Sequence, residues 1–89
     1  METIILDLRN FESAVNLQSY LAQTLKFPFY YGRNLDALYD ELTLWQGEAL
    51  KVLLPERPIG GMADYIPRVE RVFLDAAADN PGLKIEIVK

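Results

Sequence analysis

Apolar residues along this chain gather into six short runs, and the period within each run predicts its structure. Thr3-Ile4-Ile5-Leu6-Asp7-Leu8 is brief and rich in β-branched and aliphatic side chains, which predicts a buried strand broken by Arg9-Asn10. From about Ser13 to Lys26, Ala14, Leu17, Leu21 and Leu25 recur at helical spacing, so an amphipathic helix is expected, ended by Pro28. An aromatic loop follows (Phe27, Phe29, Tyr30, Tyr31, Gly32), and Asn34 is a good N-cap for a second helix running to about Leu44. Leu50-Lys51-Val52-Leu53-Leu54 reads as a strand closed by Pro55.

The stretch from Pro55 to Gly61 has two prolines and two glycines and is expected to be irregular, or one short turn at most. A third helix is expected from near Asp64, acting as cap, with Pro67 tolerated in its first turn. Its core stripe is Ile66, Val69, Val72, Phe73, Ala76 and Ala77, and Asn80-Pro81-Gly82 stops it. The alternation in Leu83-Lys84-Ile85-Glu86-Ile87-Val88 marks a strand with one wetter face, as at a sheet edge.

The resulting order, β-α-α-β-α-β, predicts an α/β fold. Both connections are long enough for right-handed crossovers, so a small three-stranded parallel sheet covered by helices is expected, as a single domain over residues 1–89. Asp7-Leu8-Arg9-Asn10 after the first strand is no glycine-rich phosphate loop, which excludes a dinucleotide-binding unit.

Composition narrows the chemistry further. The 89 residues include neither Cys nor His, so disulfides, thiolate metal sites, cysteine nucleophiles and histidine bases are all excluded. Nine Lys plus Arg against thirteen Asp plus Glu leave a formal charge of −4. An acidic pI of about 4.6 argues against a nucleic-acid binder and suits a basic partner. The opening residues lack a basic n-region and their apolar run stops at Asp7, so neither a signal peptide nor a membrane span is expected and the chain reads as cytoplasmic.

The second helix carries more charge than packing explains. On a wheel of about 100° per residue, Leu35, Leu38 and Leu42 form the packing side, while Asp36, Tyr39, Asp40 and Thr43 form a separate stripe. Asp36 and Asp40 are stacked like charges at i and i+4, a pairing that costs about 0.2–0.5 kcal/mol. Asp36 suits the first turn of a helix, but Asp40 lies mid-helix and gains nothing there. The stripe carries Tyr39 between the two acids and is framed by Tyr30, Tyr31 and Trp45, and aromatics around a focused charge are the composition of a binding hot spot.

Asp75 and Asp79 stack in the same way on the polar side of the third helix, where Arg71 offers Asp75 an ordinary ion pair. Neither pair has the cleft that acid–base hydrolysis needs, and no EF-hand spacing is present, so no catalytic residue, metal or cofactor is expected. Phe11 and Phe73 read as core. Phe27 and Phe29, flanking Pro28, read as pins that hold the loop to the core. Tyr20 and Tyr65 carry no signal.

The run from Tyr30 through Gly32, Asn34, Leu35, Asp36, Leu38, Tyr39, Asp40, Leu42 and Thr43 to Trp45 resembles the signature of the barstar family, small intracellular inhibitors of barnase-type secreted ribonucleases. The element order, the length and the closing Val72-Phe73-Leu74-Asp75-Ala76 are similar too. The resemblance implies that the second helix and the loop before it plug the basic catalytic groove of a ribonuclease. Asp40 would then meet the catalytic arginines and histidine, Asp36 a further basic residue, and Tyr30 would pack on the histidine. Asn34 and Thr43 match polar contacts beside them. Tyr39 stands where the best-known member has Trp, and Asp75 where it has Glu.

Three departures stand out. Arg33 replaces an acidic residue, Leu44 replaces a glycine, and Pro55–Gly61 is too rich in Pro and Gly for the short helix of the best-known member. The expected function is a non-enzymatic inhibitor that binds one basic barnase-type ribonuclease through Tyr30, Asn34, Leu35, Asp36, Tyr39, Asp40, Thr43, Leu44, Trp45, Asp75 and Asp79. The alternative is a module of the same fold with a non-ribonuclease partner, favoured by Arg33 and Leu44.

Overall fold

A computed structural model describes residues 2–89. The elements are β1 (Thr3–Asp7), α1 (Ala14–Thr24), α2 (Leu35–Thr43), β2 (Ala49–Leu53), α3 (Met62–Asp79) and β3 (Ile85–Val88). The three strands form one sheet in the order β1-β2-β3, and both pairings are parallel. Leu6, Val52 and Ile87 share one rung, and Ile4, Leu50 and Ile85 another. This is the β-α-α-β-α-β architecture expected from the periodicities.

The helices cover one face of the sheet. Two right-handed crossovers that step the same way across a sheet deliver their helices to the same side. Leu6, Leu50 and Val52 point to that side and are at most 1% exposed. Ile5, on the opposite face, is 57% exposed, with Glu86 open on the same rung. The first strand is therefore an edge with one open face, not the buried strand its apolar run suggests. The buried positions continue past the strand ends through Leu8 and Leu54, which extend the layer under Leu17, Leu21, Leu38, Leu42, Val69 and Phe73. Each such side chain taken out of water contributes about 1.5–3 kcal/mol.

Helix boundaries differ from the sequence expectation for identifiable reasons. In α1, the Ser13 hydroxyl accepts from the Asn16 N–H (3.1 Å) and starts the helix as expected. Its end precedes Pro28, because Lys26 turns left-handed (φ 57°) and the Phe27 N–H donates back to the Ala22 carbonyl (2.9 Å). That 6→1 closure is a Schellman cap with lysine in the position glycine usually fills. Helix α3 begins at Met62, whose buried side chain docks the first turn, so Asp64 lies inside that turn and is not its cap. Pro67 consequently sits beyond the first turn and deprives the Ala63 carbonyl of its helical donor. Between β2 and α3 there is no regular element, only a turn with Gly60 at φ 62°, in keeping with the prolines and glycines there.

One polar side chain among the described residues lies in the core. Gln18 is 1% exposed, accepts from the Tyr31 hydroxyl (2.5 Å) and donates to the Tyr65 hydroxyl (2.7 Å). This chain ties α1, the aromatic loop and α3 together.

Candidate partner-binding site

Asn34 sets the direction of α2. Its side-chain oxygen accepts from the Ala37 N–H (2.7 Å), and its amide donates to the Gly32 carbonyl (3.3 Å). Gly32 fits because a Cβ there would come within 3.1 Å of that amide and 3.3 Å of the Ala37 methyl. Leu38 and Leu42 are fully buried and Leu35 partly so, which turns Asp36 and Asp40 outward.

Helices α2 and α3 lie side by side and run in the same sense. Leu35 and Asp36 at the start of α2 line one depression with Tyr65 and Arg68 of α3. At the other end, the Asn80 amide donates to the carbonyls of both Leu42 and Trp45, each at 3.0 Å. Between these ends, the Tyr39 hydroxyl donates to the Asp79 carboxylate. The two acidic pairs that look separate in sequence therefore belong to one surface, with Asp36 and Asp40 on one helix and Asp75 and Asp79 on the next. The Tyr39 phenol is pushed up, first by its bond to Asp79, then by partial desolvation and the charges of Asp79, Asp75 and Asp40.

Helix geometry sharpens this field. Asp40 opens the last turn of α2 and Asp79 closes that of α3, and neither turn contains a basic residue. A helix C-terminus already carries about half a negative charge. Two such ends, tied together by Asn80, thus converge beside three carboxylates, Asp40, Asp75 and Asp79. Asp75 is partly answered by Arg71 at 3.3 Å, the i,i+4 surface pair expected from sequence.

Aromatic and apolar side chains border the acids unevenly. Tyr31 turns inward onto Phe27 (ring centroids 4.7 Å apart) and donates to Gln18; burial pushes its phenol up. The Tyr31 N–H donates to the Pro28 carbonyl (2.9 Å), which leaves Tyr30 75% exposed on a pinned turn. Phe29 is 99% exposed and meets Tyr30 edge-on at 5.7 Å, so it is no pin to the core; Phe27 alone has that role, because Tyr31 supplies the inward partner. Leu44 is 76% exposed beyond the end of α2. Trp45 is partly buried, donates its indole N–H to the Glu48 carbonyl (2.9 Å) and stacks over Gly47, forming a fixed wall. The Thr43 hydroxyl donates to the Asp40 carbonyl (2.9 Å).

The family model described as Barstar (barnase inhibitor) matches residues 1–87. The chain belongs to the barstar family. It is also similar to a Bacillus subtilis (strain 168) protein named "Putative ribonuclease inhibitor YrdF", with 50% identity over 54 residues. That match covers 61% of this chain and spans 59% of the length of the relative.

Against the barstar frame, sequence reasoning missed four participants. Asn80 reads in sequence as a helix stop, yet it ties the two acidic helices together. Gln18 lies four residues after Ala14 on the apolar arc of α1, and a polar residue on that arc was the available signal. Tyr65 accepts from it. Arg68 had no sequence signal, because only the packing of α3 on α2 brings it beside Asp36.

Proposed function

We propose that this protein is a stoichiometric, non-enzymatic inhibitor that blocks the active site of a basic barnase-type ribonuclease, one to one, inside the cell that makes it. The observation that carries the reading is the single acidic surface of Asp36, Asp40, Asp75 and Asp79 spread over two parallel helices whose C-termini meet. Membership of the barstar family supports it, as does likeness to a protein named as a ribonuclease inhibitor.

In this reading the carboxylates stand where the phosphates of RNA would, and the basic groove is neutralised by a folded surface it cannot cleave. Asp40 lies centrally, where closure of the interface excludes most water, and it carries the largest share of affinity. Tyr30 packs on the rim of the groove, while Tyr39 fixes Asp79 so that the acids are ordered before contact. Asp36 and Asp75 meet flanking basic groups, Leu35 and Trp45 supply the apolar backing, and Asn34 and Thr43 hold the ends of α2 that present them. Leu44 adds an apolar contact beside Trp45. No residue of the inhibitor reacts.

The test is titration of a barnase-type ribonuclease with the protein. One-to-one loss of activity is expected, with Asp40→Ala weakening inhibition at least about thirty-fold, as a hot spot worth about 2 kcal/mol or more requires. Association should slow steeply as salt shortens screening from about 30 Å at 0.01 M to about 8 Å at 0.15 M. A neutral Asp40→Ala together with salt-insensitive association would refute the mechanism. The exposed Phe29 and Leu44 favour one rival, a barstar-fold module for a partner other than a ribonuclease. Capture from host lysate of a partner that lacks ribonuclease activity would support that rival.

A further inference from the structure

The partner-facing surface is not uniformly acidic. Arg33 and Arg68, from the loop before α2 and from α3, line the same depression of about 310 Å³ as Asp36. Arg33 reaches it through a left-handed backbone (φ 54°) and is steadied by donating from Nη1 to the Ser19 hydroxyl at 3.2 Å. Among the described residues neither arginine forms an ion pair, whereas Arg9, Arg71 and Lys89 all do. Both are exposed. Within that depression the two cations meet a single carboxylate, Asp36, and the next nearest along α3 is Asp64, one turn before Arg68. The other end holds Asp40, Asp75 and Asp79 with Arg71 alone nearby.

We infer that the surface is bipolar and that its partner is too: beside its basic groove, the ribonuclease presents an Asp or Glu carboxylate that enters the Arg33–Arg68 depression. The inference rests on the inhibitor reading above and deepens it by specifying the partner. The physical basis is charge complementarity across a desolvated contact. An arginine pressed against a wholly basic surface would lose hydration and meet repulsion, whereas a carboxylate gives its planar fork two directed hydrogen bonds. Such a feature selects among basic nucleases, because those lacking the carboxylate are penalised.

A sign reversal separates this from general attraction. If the partner were simply basic, making the inhibitor more acidic anywhere near the surface would speed association and tighten binding. The bipolar surface requires the opposite at two positions. The probe is the barnase-type ribonuclease, within a panel, that the wild-type protein inhibits most tightly. Arg33→Glu and Arg68→Glu are each expected to weaken inhibition ten-fold or more, and Arg33→Gln by a smaller factor, while Lys84→Glu, the same charge change on an exposed residue outside the surface, leaves it unchanged or tighter. Reversing nuclease Asp and Glu residues one at a time to Arg should find one that restores binding to Arg33→Glu. Thermal unfolding of each variant confirms that the fold is retained. Tighter binding by Arg33→Glu and Arg68→Glu, with Asp40→Ala still defective, overturns the bipolar inference and leaves the inhibitor reading standing. A wild-type protein that inhibits no nuclease in the panel removes both.

Discussion

Asn80→Ala tests whether the acidic surface is held together by the tie at its base. In the wild type, one side-chain amide donates to two carbonyls, Leu42 and Trp45, and the side-chain oxygen accepts from the Gly82 N–H, all at 3.0 Å. The Leu42 carbonyl, in the last turn of α2, also accepts from the Trp45 N–H (3.1 Å), whereas the Trp45 carbonyl lies just past the helix end. Losing the two partly buried bonds at about 0.5–1.5 kcal/mol each gives roughly 2 kcal/mol. For a domain of this size, about 1 kcal/mol moves the melting temperature by about 4–8 °C, so a fall of about 8–16 °C is expected by circular dichroism.

Asn80→Asp should destabilise the fold further. Aspartate keeps the shape and can still accept from Gly82, but it turns two donated bonds into oxygen–oxygen repulsion. It also adds a charge beside Asp79 at a helix C-terminus. The predicted stability order is therefore wild type, then Asn80→Ala, then Asn80→Asp. An aspartate variant at least as stable as the alanine one, or an alanine variant within about 2 °C of wild type, would show that the amide bridge is not what joins the helices.

Two further outcomes follow from other parts of the fold. Pro67→Ala restores an N–H for the Ala63 carbonyl in α3; proline is about 3 kcal/mol worse than alanine inside a helix and its stiffening of the unfolded chain returns at most about 1, so urea denaturation should show a gain of about 2–3 kcal/mol. The Tyr31 phenol, raised by burial, keeps its proton in the folded state above the pH near 10 where an unfolded tyrosine loses it. Its contribution is thus complete below about pH 10 and declines as pH rises, so denaturation midpoints should fall in alkali. Tyr31→Phe should flatten that decline while costing about 1–3 kcal/mol at neutral pH, where Gln18 is left with a buried unpaired acceptor.

Which features were legible follows from where each was encoded. Local ones were readable: Asn34 announces its helix because a capping side chain acts within three residues, and the start of α1 near Ser13 came from apolar spacing. The six-element order and the Leu38, Leu42, Val69 and Phe73 core came from periodicity alone. What failed was set by the competition of packing with local preference. Proline marked the wrong end for α1 because Lys26 accepts a left-handed backbone that its own side chain does not favour, the docking of Phe27 on Tyr31 supporting it. Phe29 and Phe27 look equivalent on either side of Pro28, and only the inward turn of Tyr31 decides between them. The pairing of Asp79 with Tyr39 spans 40 residues and has no local signature.

The same arrangement makes a prediction about salt that separates folding from binding. Asp40 and Asp79 oppose the dipoles of their own helices, at about 0.3–1 kcal/mol each. The Asp36–Asp40 and Asp75–Asp79 stacks add about 0.2–0.5 kcal/mol each, so the surface carries roughly 1–3 kcal/mol of internal repulsion. That is a sizeable fraction of the 5–15 kcal/mol typical of a domain, and lysine or arginine at these helix ends would have stabilised the fold instead. Raising NaCl from about 0.01 to 0.15 M screens the repulsion, so the isolated protein should become more stable, by up to about 1 kcal/mol. Across the same range its association with a basic ribonuclease should slow, because screening removes the attraction as well. The two responses must have opposite signs if these carboxylates are held in an unfavourable place for the sake of a cationic partner. An isolated protein that loses stability over that interval would mean that its acids are already satisfied within the fold, and the repulsion argued from the helix ends would be wrong.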